Sequence, residues 1–460
     1  MENIAKLNVS QSRVHHWHPM ADPKTAEQST PLVFERAEGV YIYDTAGRRY
    51  LDSQGGLWCV NVGHGRKEVK EAINAQLERL PYYTTFGDTS NLPVIELAER
   101  LIRMLAPEDM QRVFFGSGGS DANETAMKLA RQYWKLSGEA QRTKFISLKQ
   151  GYHGVHFGGT SIGGQMYLRS MYEPVLPGCF QVDTPWLYRN PYTEDAEELG
   201  KICANLLERE IVHQGPHTVA AFIAEPVQGA GGVIVPPDNY WPLVREVCDK
   251  YGVLLIADEV VTGFGRSGSM FGCRGWGVKP DMMCLAKGIN SGYIPLGATV
   301  VNERVRKAWD SDHPLAAILH GYTYSGHPVA CAAANAALQI VEDEDLPANA
   351  AKVGGYCLEK LQNELGDYDV VGDIRGKGLM IAIELITDKA SKESFTPDDP
   401  YLHTLQDLTR KEGLVIRNLG SNLIISPPLV FTEEHVDEMT GMLSRAFDSA
   451  EAVRKKTADT

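Results

Sequence analysis

The chain has 460 residues, of which 43% are hydrophobic and 23% charged. That excludes a single small module, because domains average about 150 residues, and it excludes a disordered chain. The 45 basic and 59 acidic side chains leave a formal charge of −14 with no run of Lys and Arg, so no nucleic acid partner is expected and small-molecule chemistry is the default.

The start, Met1 to Lys6, lacks the apolar stretch of a secretion signal. Apolar runs along the chain reach only about six residues, against about 20 for a bilayer span, so no membrane association is expected. None of the eight cysteines stands two residues from another, so they read as buried thiols in a reducing cytoplasm. Gly39 to Asp44 and Arg48 to Asp52 read as strands. From Gln111 to Asn302, short apolar runs alternate with polar or helix-period segments: Arg112 to Phe115, Lys144 to Leu148, Val219 to Ala224, Val253 to Ala257, Met282 to Ala286 and Gly297 to Val301. Runs of this kind suit strands covered on both faces, so a parallel sheet with crossover helices is predicted. One such helix is expected over Asp121 to Leu136, with Ala122, Ala126, Met127, Leu129, Ala130, Tyr133 and Trp134 inward, Asn123, Glu124, Lys128 and Arg131 toward water, and Ser120 as its cap. A second is expected over Tyr240 to Lys250, with Pro242 in its first turn and Gly252 beyond its end.

After Pro328 the pattern changes to a smaller α+β lobe. Val329 to Glu342 is Ala-rich and helical, Val370 to Ile386 reads as strands broken at Gly372, Gly376 and Gly378, and Leu414 to Val430 reads as a hairpin turning at Gly420. A final helix from Thr432 to about Val453 carries Val436, Met439, Leu443, Phe447 and Ala450 on one stripe. The first seventy or so residues are expected to pack beside this lobe.

In an open parallel sheet, ligands bind outside the carboxyl ends of the strands. The Gly116 to Ser120 loop, Glu225, Asp258 and Lys287 each directly follow a predicted strand. The glycine-rich loop opens a helix and could hold a phosphate on backbone N–H groups, although a tight turn needs the same residues. Lys287 could be a desolvated, imine-forming amine or a lysine snorkelling at a sheet end. Asp258 could be a turn former or a buried carboxylate that needs a cationic partner. Anion cradle, lysine and buried acid together are what pyridoxal phosphate requires: an anchor, a covalent tether and a counter-ion for its pyridine nitrogen.

With these residues the chain resembles the class III pyridoxal-phosphate aminotransferases of fold type I, and among them the ω-aminotransferases of the amine:pyruvate branch. The resemblance runs from Gly56–Gly63 (Gly-Leu-Trp-Cys-Val-Asn-Val-Gly) to Ile425–Val430. Its most specific block is Ala257–Arg266 (Ala-Asp-Glu-Val-Val-Thr-Gly-Phe-Gly-Arg), followed by Pro280-Asp281 and Ala286-Lys287-Gly288. It implies an α/β fold: a large domain (76–328) with a mostly parallel seven-stranded sheet, and a smaller α+β domain built from segments 1–75 and 329–460. It implies a cytoplasmic homodimer with active sites at the subunit interface, with a dimer of dimers as the alternative assembly. An amine or ω-amino acid would give its amino group to pyruvate, forming alanine, by a ping-pong mechanism.

The same resemblance implies the site. Lys287 is the Schiff-base lysine and proton shuttle, Asp258 pairs with the pyridine nitrogen, and Gly119 and Ser120 bind the phosphate. Tyr152 and Val260 cover the two faces of the ring, Glu225 belongs to the cofactor's surroundings, and Tyr322 and Thr323 are phosphate contacts donated by the neighbouring subunit. Arg417 grips the keto acid's carboxylate, and Trp58, Met20, Phe86 and Tyr152 line the space for the amine's carbon chain. Two positions depart from the family. The loop reads Ser117-Gly118-Gly119-Ser120-Asp121 where Asn-Ser-Gly-Ser-Glu is common, and Ala230 stands where the ornithine and γ-aminobutyrate branch has a glutamate that pairs with the substrate arginine. Without that acid, Arg417 is expected to swing aside for amines lacking a carboxylate. An aminomutase or a decarboxylating aminotransferase would use the same lysine and aspartate. An NAD-dependent dehydrogenase is the remote alternative, because Gly263-Phe-Gly265-Arg-Ser-Gly268 matches G-x-G-x-x-G, but no helical stripe follows it. His15, His16 and His18 cluster near the start without a completing acid or thiol, and no metal is expected.

Overall fold

The computed structural model describes residues 15–28 and 31–458; Met1 to Lys6 lie outside them. Three antiparallel strands come first: β1 (Phe34–Glu38), β2 (Tyr41–Asp44) and β3 (Arg49–Asp52). Asp44 Oδ1 accepts hydrogen bonds from the N–H groups of Ala46 and Arg48 and closes the turn between the last two.

The large sheet comprises β4 (Met110–Gly116), β5 (Lys144–Leu148), β6 (Cys179–Val182), β7 (Val219–Ala224), β8 (Leu254–Asp258), β9 (Met282–Leu285) and β10 (Gly297–Asn302). Its seven strands lie in the order β4-β10-β9-β8-β7-β5-β6, and only β10 runs against its neighbours. All six runs read as strands lie in it, and the α/β class with a mostly parallel seven-stranded sheet stands as expected. The run pattern missed β6, a four-residue edge strand that is mostly half-exposed and so lacks the continuous apolar signature.

The reason for that signature is visible in β7, which is buried throughout. Phe222 and Ala224 pack with the helices Ala196–Gln214 and Tyr240–Tyr251, while Ala221 and Ile223 pack with the helix Gly119–Leu136 on the opposite face. Successive side chains of a strand point to opposite faces, so a strand between two helical layers must be apolar at every position.

The C-terminal part holds β11 (Val371–Gly376), β12 (Ile381–Asp388), β13 (Glu393–Ser394), β14 (Leu414–Val415), β15 (Arg417–Leu419) and β16 (Asn422–Ile425). The Leu414 to Val430 hairpin expectation needs correction. Leu414 and Val415 leave for the first sheet, where they pair parallel with Leu51 and Asp52 of β3. The hairpin proper is β15–β16, turning at Gly420 with φ +57, and the strand stops before Ser426-Pro427-Pro428 because proline has no N–H for a ladder. The helix Pro328–Asp343 and the last helix, Glu433–Ala458, form as read, with the Val436 to Ala450 stripe fully buried. Arg266 is buried among these parts and donates to Leu379 O, Pro427 O and Asn61 Oδ1. Among the described residues no carboxylate pairs with it, and burial lowers its guanidinium to about 10. Among the described residues no helix is long and apolar enough to cross a membrane.

Candidate active site

Because β4, β7, β8 and β9 run the same way, their carboxyl ends share one rim of the sheet. A cavity of about 1000 Å3 opens there, within the size range of small-molecule sites. It is lined by the loop Ser117 to Ser120, Glu225, Asp258, Val260 and Lys287, and by Arg417 from the hairpin, Tyr152, Trp58 and Met20. Three predicted residues lie elsewhere. Tyr322 donates from its hydroxyl to Asp121 O at 3.1 Å, the Thr323 carbonyl accepts from Tyr82 Oη at 2.6 Å, and Phe86 lies against Gly321 with its side chain 53% exposed. Phe86 and Thr323 are exposed and Tyr322 is half-buried against Gly116 and the first turn of the following helix; none of the three lines the cavity of its own chain, so Phe86 does not line it within one subunit.

The loop is closely approached at Gly119 and Gly297, though not at Gly118. A Cβ on Gly119 would meet Val260 Cγ1 at 2.8 Å, and one on Gly297, where β10 starts from the same rim, would meet Gly118 O at 2.3 Å. Ser120 does not cap the helix, whose N-cap is Gly118 with no side-chain cap bond. The cap is reversed: Asp121 Oδ2 accepts from Ser117 N at 2.7 Å, holding the loop from inside the first turn. Ser120 Oγ instead accepts from Val155 N at 3.1 Å.

Asp258 is 2% exposed and carries three donors: Asn123 Nδ2 and His153 Nδ1, each 2.8 Å from Oδ2, and Val260 N at 3.1 Å from Oδ1. Sequence reasoning missed two of these. Asn123 was expected in water and is 2% exposed; it lies one turn into the helix from Gly119, on the side that faces the strand ends. His153 sits in the Tyr-His-Gly stretch beside Tyr152, which was the signal available for it. Glu225 is also buried; Oε1 accepts from Tyr152 N at 3.0 Å and Oε2 from Gly229 N at 2.9 Å. Burial, with the Asp258 charge adding to it and His153 and both N–H groups opposing, lifts the Glu225 carboxyl to about 7.

Lys287 follows β9 in a left-handed conformation, φ +46. Among the described residues no hydrogen bond or ion pair occupies its amine. Burial pulls its proton affinity down, opposed by Asp258 and Glu225, and a lysine in that condition is a better nucleophile and base than one in water. Arg417 is half-buried and likewise has no ion pair or hydrogen bond among the described residues; burial lowers its proton affinity, with Tyr167 and Tyr152 nearby. Ala230 lines the same cavity, and the carboxylates lining it, Asp258 and Glu225, are already bonded.

The residues fit pyridoxal phosphate. A glycine cradle at a helix N-terminus suits its phosphate, an unengaged buried amine suits its aldehyde, and a buried aspartate fixed by three hydrogen-bond donors suits its pyridinium. The dehydrogenase context is absent, because Gly263 to Gly268 forms turns with Gly265 and Gly268 at positive φ and opens no helix. The rings of His16 and His18 lie 4.6 Å apart.

Comparison with known proteins agrees with this geometry. The profile described as "Aminotransferase class-III" matches residues 24–447. A putrescine–pyruvate aminotransferase of Pseudomonas aeruginosa is 41% identical, over 96% of each chain. The crystal structure of an amine transaminase from an uncultivated Pseudomonas species, in its pyridoxal-phosphate-bound form, is 54% identical, covers 95% of this chain and 99% of its own, and superposes with a TM-score of 0.93. An (S)-enantioselective ω-transaminase from Thermomicrobium roseum is 42% identical, with a TM-score of 0.93 over 97% of this chain and 99% of its own. A glycine-rich loop, a lysine with no bond among the described residues and a clamped aspartate share one sheet rim, and the family match spans residues 24–447: the chain belongs to the class III aminotransferases and uses pyridoxal phosphate.

Proposed function

We propose that this aminotransferase moves the amino group of a primary amine or ω-amino acid onto pyruvate, giving alanine, in two half-reactions that share one site. The observation that carries this reading is Arg417, a half-buried guanidinium on the cavity wall with no carboxylate paired to it among the described residues. A buried cation without a partner is costly, and a substrate carboxylate that accepts two parallel hydrogen bonds relieves the cost. Ala230 leaves Arg417 without an acidic resting partner, which suits an acceptor acid that alternates with uncharged donors. The names of the Pseudomonas aeruginosa and amine-transaminase relatives support the same assignment.

When bound, pyridoxal phosphate supplies an aldehyde carbon that condenses with amines and a ring that accepts electrons. The chain's residues do the rest. The Ser117 to Ser120 loop would hold the phosphate, Val260 and Tyr152 would confine the ring, and Asp258, fixed by Asn123 and His153, would favour a positive charge on the pyridine nitrogen. Lys287 would move the proton between the substrate carbon and the cofactor in each half-reaction, and burial, which lowers its proton affinity, favours its neutral form relative to a lysine in water. Tyr322, Thr323 and Phe86 would serve a partner subunit's site, for Thr323 and Phe86 are exposed beside Tyr82, Tyr83 and Tyr324, with Tyr322 half-buried next to them.

The purified holoenzyme should be yellow, bleach with a donor amine when pyruvate is withheld, and regain its colour when pyruvate is added. Lys287→Ala should end turnover while leaving the fold intact. A Lys287→Ala protein that still makes alanine at the parent rate would refute the assignment.

A further inference from the structure

The left-handed backbone of Lys287, φ +46, is a conformation that a residue with a Cβ keeps only where its surroundings enforce it. The enforcing groups come from the N-terminal segment behind it. Asn61, 1% exposed, lies against Gly288: a Cβ added to that glycine would come within 2.4 Å of Asn61 Nδ2 and 3.2 Å of Phe264 Cβ. Val62 N donates to Ser291 Oγ at 3.1 Å, which fastens the residues after Lys287 to the same segment at a second point. The Asn61 amide has one permitted orientation. Oδ1 accepts from Arg266 Nη2 at 2.9 Å and Nδ2 donates to Phe264 O at 2.9 Å. A guanidinium only donates and a carbonyl only accepts, so turning the amide over would leave both partners unpaired in the interior. Arg266 also donates to Leu379 O and Pro427 O, and the Asn61 carbonyl accepts from Leu429 N at 2.8 Å. Asn61 thus stands between the lysine and the C-terminal part of the chain.

We infer that Asn61 is a positioning residue for Lys287, fixing the aim of its amine through the contact with Gly288, and that Arg266 acts through Asn61. The inference rests on the reading of Lys287 as the group that moves the proton. Neither Asn61 nor Arg266 lines the catalytic cavity, so neither touches substrate and their effect on the reaction passes through the backbone of the lysine. A reacting group displaced by about 1 Å can cost about 100-fold in rate, whereas binding of the amine, which depends on the cavity wall, is left nearly as it was.

The test uses full-length holoenzyme and follows bleaching by butylamine with pyruvate withheld, together with the pH titration of the resting visible band. Asn61→Ala should slow bleaching at saturating amine by at least about tenfold, move the pH midpoint of the band, and change the half-saturating amine concentration by less than about threefold. Arg266→Lys keeps the charge but reaches fewer acceptors at once; it should reproduce the slowing and add nothing when combined with Asn61→Ala. Gly288→Ala reads the contact itself. It should slow bleaching at least about tenfold in the parent and less than about threefold in Asn61→Ala, where the side chain it strikes is gone. A lower melting temperature in Asn61→Ala with bleaching and band unchanged overturns the inference alone, as does Gly288→Ala costing the same in both backgrounds. Should Asn61→Ala fail to fold, Gly288→Ala in the parent decides, and bleaching within about twofold of the parent rate overturns the inference. A parent holoenzyme that no donor amine bleaches overturns the transfer reading and this inference with it.

Discussion

Glu225→Gln isolates the most strongly perturbed carboxyl of the cavity. Burial lifts Glu225 from the ordinary 4.5 to about 7, with Asp258 adding to the rise and His153 and the N–H groups of Tyr152 and Gly229 opposing it. At about 1.4 kcal/mol for each tenfold change in proton affinity, the folded state penalises the ionised form by roughly 3 kcal/mol. Because the folded value lies above the unfolded one, the stability tied to this proton is fully present below pH 4.5 and is lost as pH rises through about 7. Between pH 5 and pH 9 the parent should lose about 2.5 kcal/mol through this group alone. Glutamine cannot titrate, but its amide must set a donor against one of the two N–H groups, a loss of about 1–3 kcal/mol at every pH. The variant should therefore be the less stable protein at pH 5 and should close or reverse that gap by pH 9. Urea melts of parent and variant holoenzyme at intervals across this range measure the gap. A gap that stays constant with pH would falsify the claim that Glu225 is held protonated by burial.

Two further substitutions separate the halves of the reaction. Arg417→Met should raise the KM for pyruvate by tens of fold, the loss of a charge-assisted bond of about 1.5–3 kcal/mol, and leave single-turnover bleaching by butylamine within about twofold; equal damage to both half-reactions would rule out a carboxylate-specific role. Arg375 donates to Gly232 O at 2.6 Å and Asn422 Oδ1 at 3.0 Å, bracing the loop of Ala230 against the hairpin of Arg417, and it also bonds Asp373 and Glu384. Arg375→Met should raise the KM for pyruvate more than it lowers kcat, and Arg375→Lys should not restore it, because an ammonium cannot reproduce the planar fork. A lower melting temperature with unchanged pyruvate KM would leave Arg375 as a stability element only.

Much of the large sheet was legible in the chain because burial on both faces of a central strand writes an unbroken apolar run, as in Val219–Ala224 and Leu254–Asp258. The polar residue that ends each run was legible for the same reason: it marks where the strand emerges at the rim. Edge strand β6 left no such mark. Asn123 was misread because helical periodicity reports which face is apolar, and a polar side chain turned toward a buried carboxylate looks identical to one in water. Sequence alone determined the residue types at the strand ends, and with them the chemistry open to this protein. Only the tertiary structure decided which charges are paired. Asp258 is clamped by Asn123 and His153, whereas Lys287 and Arg417 face the cavity with no bond among the described residues; Phe86, Tyr322 and Thr323 lie outside it. Hydrogen bonds and ion pairs depend on distances between residues far apart in the chain, and those distances exist only once the helices and sheets have packed.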